Sequence, residues 1–112
     1  MSDWKDVAAA SELTAGGAKL VDVDDTPIAV FNIDGEFYAI EDVCTHDGSP
    51  MLGCGLSPEE LLDGDQIICP RHGARFCIKT GEALTPPAYE PTTTFPVRVE
   101  NGMVQVRDDR WD

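Results

Sequence analysis

The sequence predicts a small all-β domain of antiparallel strands, and three observations lead to it. The dipeptides Asp34-Gly35 and Asn101-Gly102 each lie between short runs rich in Val, Ile, Phe and Met. Such dipeptides signal type I′ hairpins, because both central residues need positive φ. Helical periodicity is nearly absent. The stretch from Thr85 to Pro96 holds Pro86, Pro87, Pro91 and Pro96, which no helix or central strand accommodates.

Taken in order, Ala8 to Leu13 is expected to form one helical turn, preceded by Asp6 or capped by Ser11. Leu20 to Val23 and Ile28 to Ile33 read as strands joined by the loop Asp24-Asp25-Thr26-Pro27, and the Asp34-Gly35 turn leads into Phe37-Tyr38-Ala39-Ile40. Ser57-Pro58-Glu59-Glu60-Leu61-Leu62 has the marks of a short helix: Ser at the N-cap, Pro at the first helical position, acids in the first turn. Ile67-Ile68 and Phe76-Cys77-Ile78 are two further short strands, with a turn at Thr80-Gly81. Thr85 to Pro96 is an extended loop, and Phe95 to Val99, Asn101-Gly102 and Met103 to Val106 make the last hairpin.

Residues 1–112 are expected to form a single domain, long enough for a modest core and too short for two. The 8 basic and 21 acidic residues give a formal net charge of −13. That surface repels nucleic acid and anionic membranes and favours a protein partner with a basic patch. Met1 to Ala10 lacks the apolar run of a secretory signal, and apolar stretches such as Ile28 to Phe31 are strand-sized. The cytoplasm is therefore the expected setting, where thiols persist and cysteines more often hold metal than form disulfides.

Cys44-Thr45-His46 and Cys69-Pro70-Arg71-His72 carry the chemistry, each with one thiolate donor and one imidazole donor. Cys₂His₂ composition fits a tetrahedral zinc ion or a two-iron, two-sulfide cluster. Structural zinc sites usually pair two cysteines in one turn and two histidines in another. Here each segment supplies one of each, an arrangement that lets both cysteines bind one iron and both histidines the other. A catalytic Cys-His pair leaves the duplication unexplained.

With Gly73 following His72, these segments resemble the Rieske [2Fe–2S] family, over nearly the whole chain. The resemblance implies a stack of small antiparallel sheets with the cluster at the tip of two hairpin loops. It implies Cys44 and Cys69 on the inner iron, and His46 and His72 on the outer, solvent-facing one. Cys69 to Glu82 is similar to the small ferredoxins that serve ring-hydroxylating dioxygenases, and Pro86-Pro87-Ala88 to the family's third, proline-bearing loop. The 22 residues between His46 and Cys69 are some residues more than is usual there, and the excess, around Gly55 to Asp63, reads as a surface insertion.

Mixed ligation suits electron transfer. Two ferric ions, two sulfides and two thiolates sum to zero charge, so an added electron is easier to accept than on an all-cysteine cluster. High-potential members of the family place a Ser just after the His-Gly and a Tyr two residues on, and join their two loops by a disulfide. This chain has Ala74 and Phe76 at the first two positions and Ser49 and Arg71 at the disulfide positions. The expected potential therefore lies at the low end of the Rieske range, near roughly −150 mV. Cys54 and Cys77 are assigned no ligand role, with Cys77 expected as a buried apolar residue.

The resemblance implies a one-electron carrier, not an enzyme by itself, between a flavin-containing ferredoxin reductase and a Rieske non-haem iron oxygenase. Met51, Leu52, Pro86 and Pro87 are expected to form its docking rim. A nitrite-reductase-type small subunit, an iron–sulfur assembly ferredoxin and a zinc-stabilised interaction module are the alternatives.

Overall fold

The computed structural model describes residues 4–23, 25–45, 51–52, 58–69, 73–86 and 89–108. These form ten strands in three antiparallel sheets with a single helical turn. The first sheet takes β1 (Lys5–Ala9), β10 (Met103–Val106) and β9 (Val97–Glu100), with β10 in the middle. The second is four-stranded, in the order β2 (Ala18–Val23), β3 (Thr26–Ile33), β4 (Glu36–Glu41) and β8 (Thr94–Phe95). The third, β5 (Leu62–Asp63), β6 (Gln66–Ile68) and β7 (Arg75–Cys77), follows the helical turn α1 (Pro58–Leu61).

Both expected tight hairpins form. Ile33 faces Glu36 across Asp34 and Gly35, whose φ values are 54° and 91°. Glu100 faces Met103 across Asn101 and Gly102, at 51° and 77°. The β2–β3 connection is tighter than the expected four-residue loop. Val23 pairs with Thr26 and Asp22 with Pro27, so Thr26 and Pro27 belong to β3. Proline is tolerated there because it lies at the start of the strand, before pairing with β4 begins at Ile28.

Strand β3 is the wall between two cores. Its alternate residues Ala29, Phe31 and Ile33 pack with Ile40, Leu61, Ile67, Phe76 and Ile78. Ile28 and Val30, on its other face, pack with Val7, Val23, Phe95, Val104 and Val106. This period-two alternation explains why the strand reads as continuously apolar.

Four expectations are revised. β1 occupies part of the segment expected to turn, and the turn begins at Ala9, whose carbonyl accepts from the Glu12 and Leu13 amides. Phe95 to Val99 is two strands. Pro96 has no N–H to extend a ladder, so Thr94–Phe95 pairs with β4 and Val97–Glu100 with β10. The proline-rich loop is correspondingly shorter. The extra residues between the Cys/His segments are not all surface. α1 starts at Pro58 as expected, but Leu61 is fully buried in the first core and β5 pairs with β6. Its expected N-cap, Ser57, lies outside the described residues.

Candidate metal centre

Each expected cysteine ligand lies in the loop that leaves a strand. Cys44 comes three residues after β4 ends and Cys69 immediately after β6. Both are completely buried and pack in the same core, with Met51, Ala74 and Phe76. The second segment is closed at its base: the Cys69 amide donates to the Ala74 carbonyl (2.7 Å) and the Gly73 amide to the Cys69 carbonyl (2.9 Å). Gly73, at φ 76°, supplies the left-handed residue the loop needs to return to β7. His46 and His72 lie outside the described residues, as do Ser49, Cys54, Arg71, Pro87 and Ala88.

The first segment is closed by a side chain that sequence reasoning gave no role. Asp42 is buried, and its Oδ1 accepts hydrogen bonds from the amides of Met51 (3.2 Å) and Leu52 (2.6 Å). Its own amide donates to the Pro27 carbonyl at 2.8 Å. The residues on either side of the 43–50 segment are thus fastened to each other and to β3. Nothing marks Asp42 among 21 acidic residues except its place between a strand and a Cys-x-His.

Residues 84–86 and 89–90, on either side of the undescribed pair 87–88, attach to both segments. The Thr45 hydroxyl donates to the Glu90 carbonyl (2.7 Å), the Arg75 amide to Thr85 Oγ1 (2.9 Å), and the Leu84 amide to the Arg75 carbonyl (2.8 Å). Arg75 also reaches Asp63 (2.7 Å) and Gln66 (3.2 Å), holding β7 to the β5–β6 hairpin. Pro86 is exposed beside this attachment. Met51 is not: it is fully buried in the core, and Leu52 is half-buried against it. Asp42 holds the Met51 backbone inward, which removes Met51 from the expected rim, while Leu52 keeps part of its surface accessible. Cys77 is on a strand as expected but half-buried, because β7 alternates inward at Phe76 and outward at Arg75 and Cys77.

Two thiol donors in one dry core suit a sulfide-bridged iron centre, since soft ligands shielded from water stabilise such clusters. Among the described residues Cys44, Cys69 and Cys77 form no disulfide. A family model for the Rieske [2Fe-2S] domain matches residues 3–96. The chain belongs to the Rieske [2Fe–2S] family. A Rieske domain carries a [2Fe–2S] cluster, and zinc is thereby set aside.

The Rieske domain is 49% identical over 81 residues to the 3-phenylpropionate/cinnamic acid dioxygenase ferredoxin subunit of Escherichia coli strain K12, covering 71% of this chain and 72% of that one. It is 40% identical over 95 residues to the biphenyl dioxygenase ferredoxin subunit of Pseudomonas sp. strain KKS102, covering 85% and 83%. A solved complex of reduced oxygenase and oxidized ferredoxin in carbazole 1,9a-dioxygenase contains a chain 38% identical, with a TM-score of 0.80 over 92% of this chain and 91% of that one. The all-β stack of small sheets in this Rieske domain is that of the solved relative. These relatives are electron-transfer subunits by name. No described helix is long and apolar enough to cross a membrane.

Proposed function

We propose that residues 1–112 form one Rieske domain, a one-electron carrier of a ring-hydroxylating dioxygenase system. In this reading Cys44, His46, Cys69 and His72 hold the cluster. The carrier takes an electron from a flavin-containing reductase and delivers it to a terminal oxygenase. The observation that carries the reading is the complete burial of Cys44 and Cys69 in one core, each at the base of a Cys/His segment. The relatives' names, ferredoxin subunits of dioxygenases at 49% and 40% identity, supply the system.

When bound, the cluster supplies a reversible one-electron site. The protein's part is to hold it with little rearrangement between oxidation states. Asp42 fastens the first segment, the Cys69–Ala74 hydrogen bond closes the second, and Thr45 and Thr85 tie residues 84–86 and 89–90 to both. Phe31, Ile40, Phe76 and Ile78 keep water from the cysteine side. Ala74 and Phe76 offer no hydroxyl to a sulfur, which favours a low potential. The net charge of −13 speeds encounter with basic partner surfaces. The reading sets the carrier in the cytoplasm, consistent with thiols outside any described disulfide.

The test is electron paramagnetic resonance of the dithionite-reduced protein, with Cys44→Ser, Cys69→Ser, His46→Ala and His72→Ala beside it. A rhombic signal of low average g that each substitution removes is the expected result. A signal that survives any of them refutes that ligand. Electron delivery is tested separately, by reoxidation of the reduced, desalted protein on adding the terminal oxygenase of carbazole 1,9a-dioxygenase. No acceleration over buffer counts against the oxygenase as acceptor.

A further inference from the structure

We propose that Leu84, Pro86 and Tyr89 form the apolar anchor by which this carrier docks on its terminal oxygenase, with the Tyr89 ring seated against an arginine of that partner. The inference deepens the carrier reading and rests on it.

Four large hydrophobic side chains are exposed among the described residues: Leu20, Val99, Leu84 and Tyr89, the last at 81%. Leu20 and Val99 lie singly on the outer strands β2 and β9, where lone exposed hydrophobics are ordinary. Leu84 and Tyr89 fall within six residues of each other, with exposed Pro86 between them.

The two described ends of that strip are bonded to the cysteine segments. At one end the Leu84 amide and the Thr85 hydroxyl bond the Arg75 backbone, on the strand that leaves the Cys69 loop. At the other the Glu90 carbonyl accepts from Thr45, the residue after Cys44. An aromatic ring presented on a segment attached at both ends loses less freedom on binding than one on a loose loop. Its place beside both cysteine segments puts a docked acceptor within short reach of the cluster.

Charge identifies the complementary surface. No Lys or Arg occurs from Thr80 to Val97, and the exposed Glu82 and Glu90 flank the strip. An apolar anchor rimmed by acids matches an apolar socket rimmed by basic groups. Arginine is the cation that both pairs with carboxylates and stacks on an aromatic face. Tyrosine is among the residues enriched as binding hot spots, and a small transient contact can rest on one such anchor.

The experiment measures the KM for this ferredoxin in turnover by the carbazole 1,9a-dioxygenase oxygenase, using holoprotein and the variants Tyr89→Ala, Tyr89→Phe and Tyr89→Leu. Tyr89→Ala should raise KM about tenfold or more, while its resonance spectrum and its rate of reduction by dithionite stay those of the parent. Tyr89→Phe should behave as the parent. A KM for Tyr89→Ala within twofold of the parent overturns the anchor. Parent-like behaviour of Tyr89→Leu overturns the guanidinium contact. Failure of the parent itself to pass electrons to the oxygenase strikes the carrier reading, and is separately visible because no variant is needed to see it.

Discussion

Replacing Asp42 should loosen the first cysteine segment, and the structure sets the size of the effect. Its buried carboxylate accepts two backbone amides, at 2.6 and 3.2 Å, from residues nine and ten positions along the chain. A hydrogen bond to a charged group contributes about 1.5–3 kcal/mol. The longer of the two belongs at the low end, so the pair comes to about 3–4 kcal/mol. Asp42→Ala forfeits that and leaves the Met51 amide unpaired at a fully buried residue. Asp42→Asn keeps an oxygen that accepts from both amides and loses the charge assistance, which roughly doubles such bonds. It should cost about 1–2 kcal/mol. Cluster loss makes unfolding irreversible, so the fitting assay is an unfolding rate in fixed urea, followed by cluster absorbance and far-ultraviolet circular dichroism together. With the loss expressed in the unfolding limb, Asp42→Ala should unfold roughly several hundredfold faster, and Asp42→Asn roughly tenfold. An Asp42→Ala rate within about threefold of the parent, or equal rates for the two variants, refutes the reasoning.

Ala74→Ser places a hydroxyl beside Cys69, since the Ala74 carbonyl already accepts from the Cys69 amide. A sulfur hydrogen bond favouring the reduced state by about 1 kcal/mol should raise the potential by about 40 mV in a redox titration; an unchanged or lowered value contradicts this. Gly81→Ala should destabilise by at least about 2 kcal/mol, because Gly81 has φ 77° and a Cβ there collides with the Thr92 carbonyl oxygen; thermal unfolding of parent and variant decides it. Tyr38 donates a hydrogen bond to the Glu36 carboxylate, which, with burial and the same negative charge, raises its phenol above the ordinary value. A raised folded pKa gives stability that is present below the unfolded phenol value and lost as pH rises through the folded one. Tyrosinate absorbance should therefore show a high-pH titration that Glu36→Gln shifts downward, and an unmoved titration discounts the contact.

The hairpins were legible because their signals are local: Asp34-Gly35 and Asn101-Gly102 impose a backbone that few other dipeptides adopt. β1 was not, because its partner β10 is remote, with Lys5 opposite Val106, and a bulge between Asp6 and Ala8 breaks its alternation. The division at Pro96 depends on which sheet each half joins, a tertiary choice with no short-range signal. In the site, the cysteines and their segments were plain from spacing. Met51 was misplaced because an apolar residue after a ligand segment suits a docking rim and a core equally, and only the Asp42 bonds turn it inward. Thr45 was passed over as the middle of Cys-x-His, since its partner at Glu90 is 45 residues away.

The two cores differ in when they can be completed during synthesis. Everything packed around Cys44 and Cys69 among the described residues, from Ala18 to Ala83, precedes the last three strands in the chain. The other core waits for Val104 and Val106, and β1 has no strand partner until β10 arrives. A chain emerging from the ribosome therefore exposes Val7 and the outer face of β3 after the cysteine side can already pack. The cysteine-bearing half can pack first, and the returning strand then acts as a latch on a molecule whose other end is already folded.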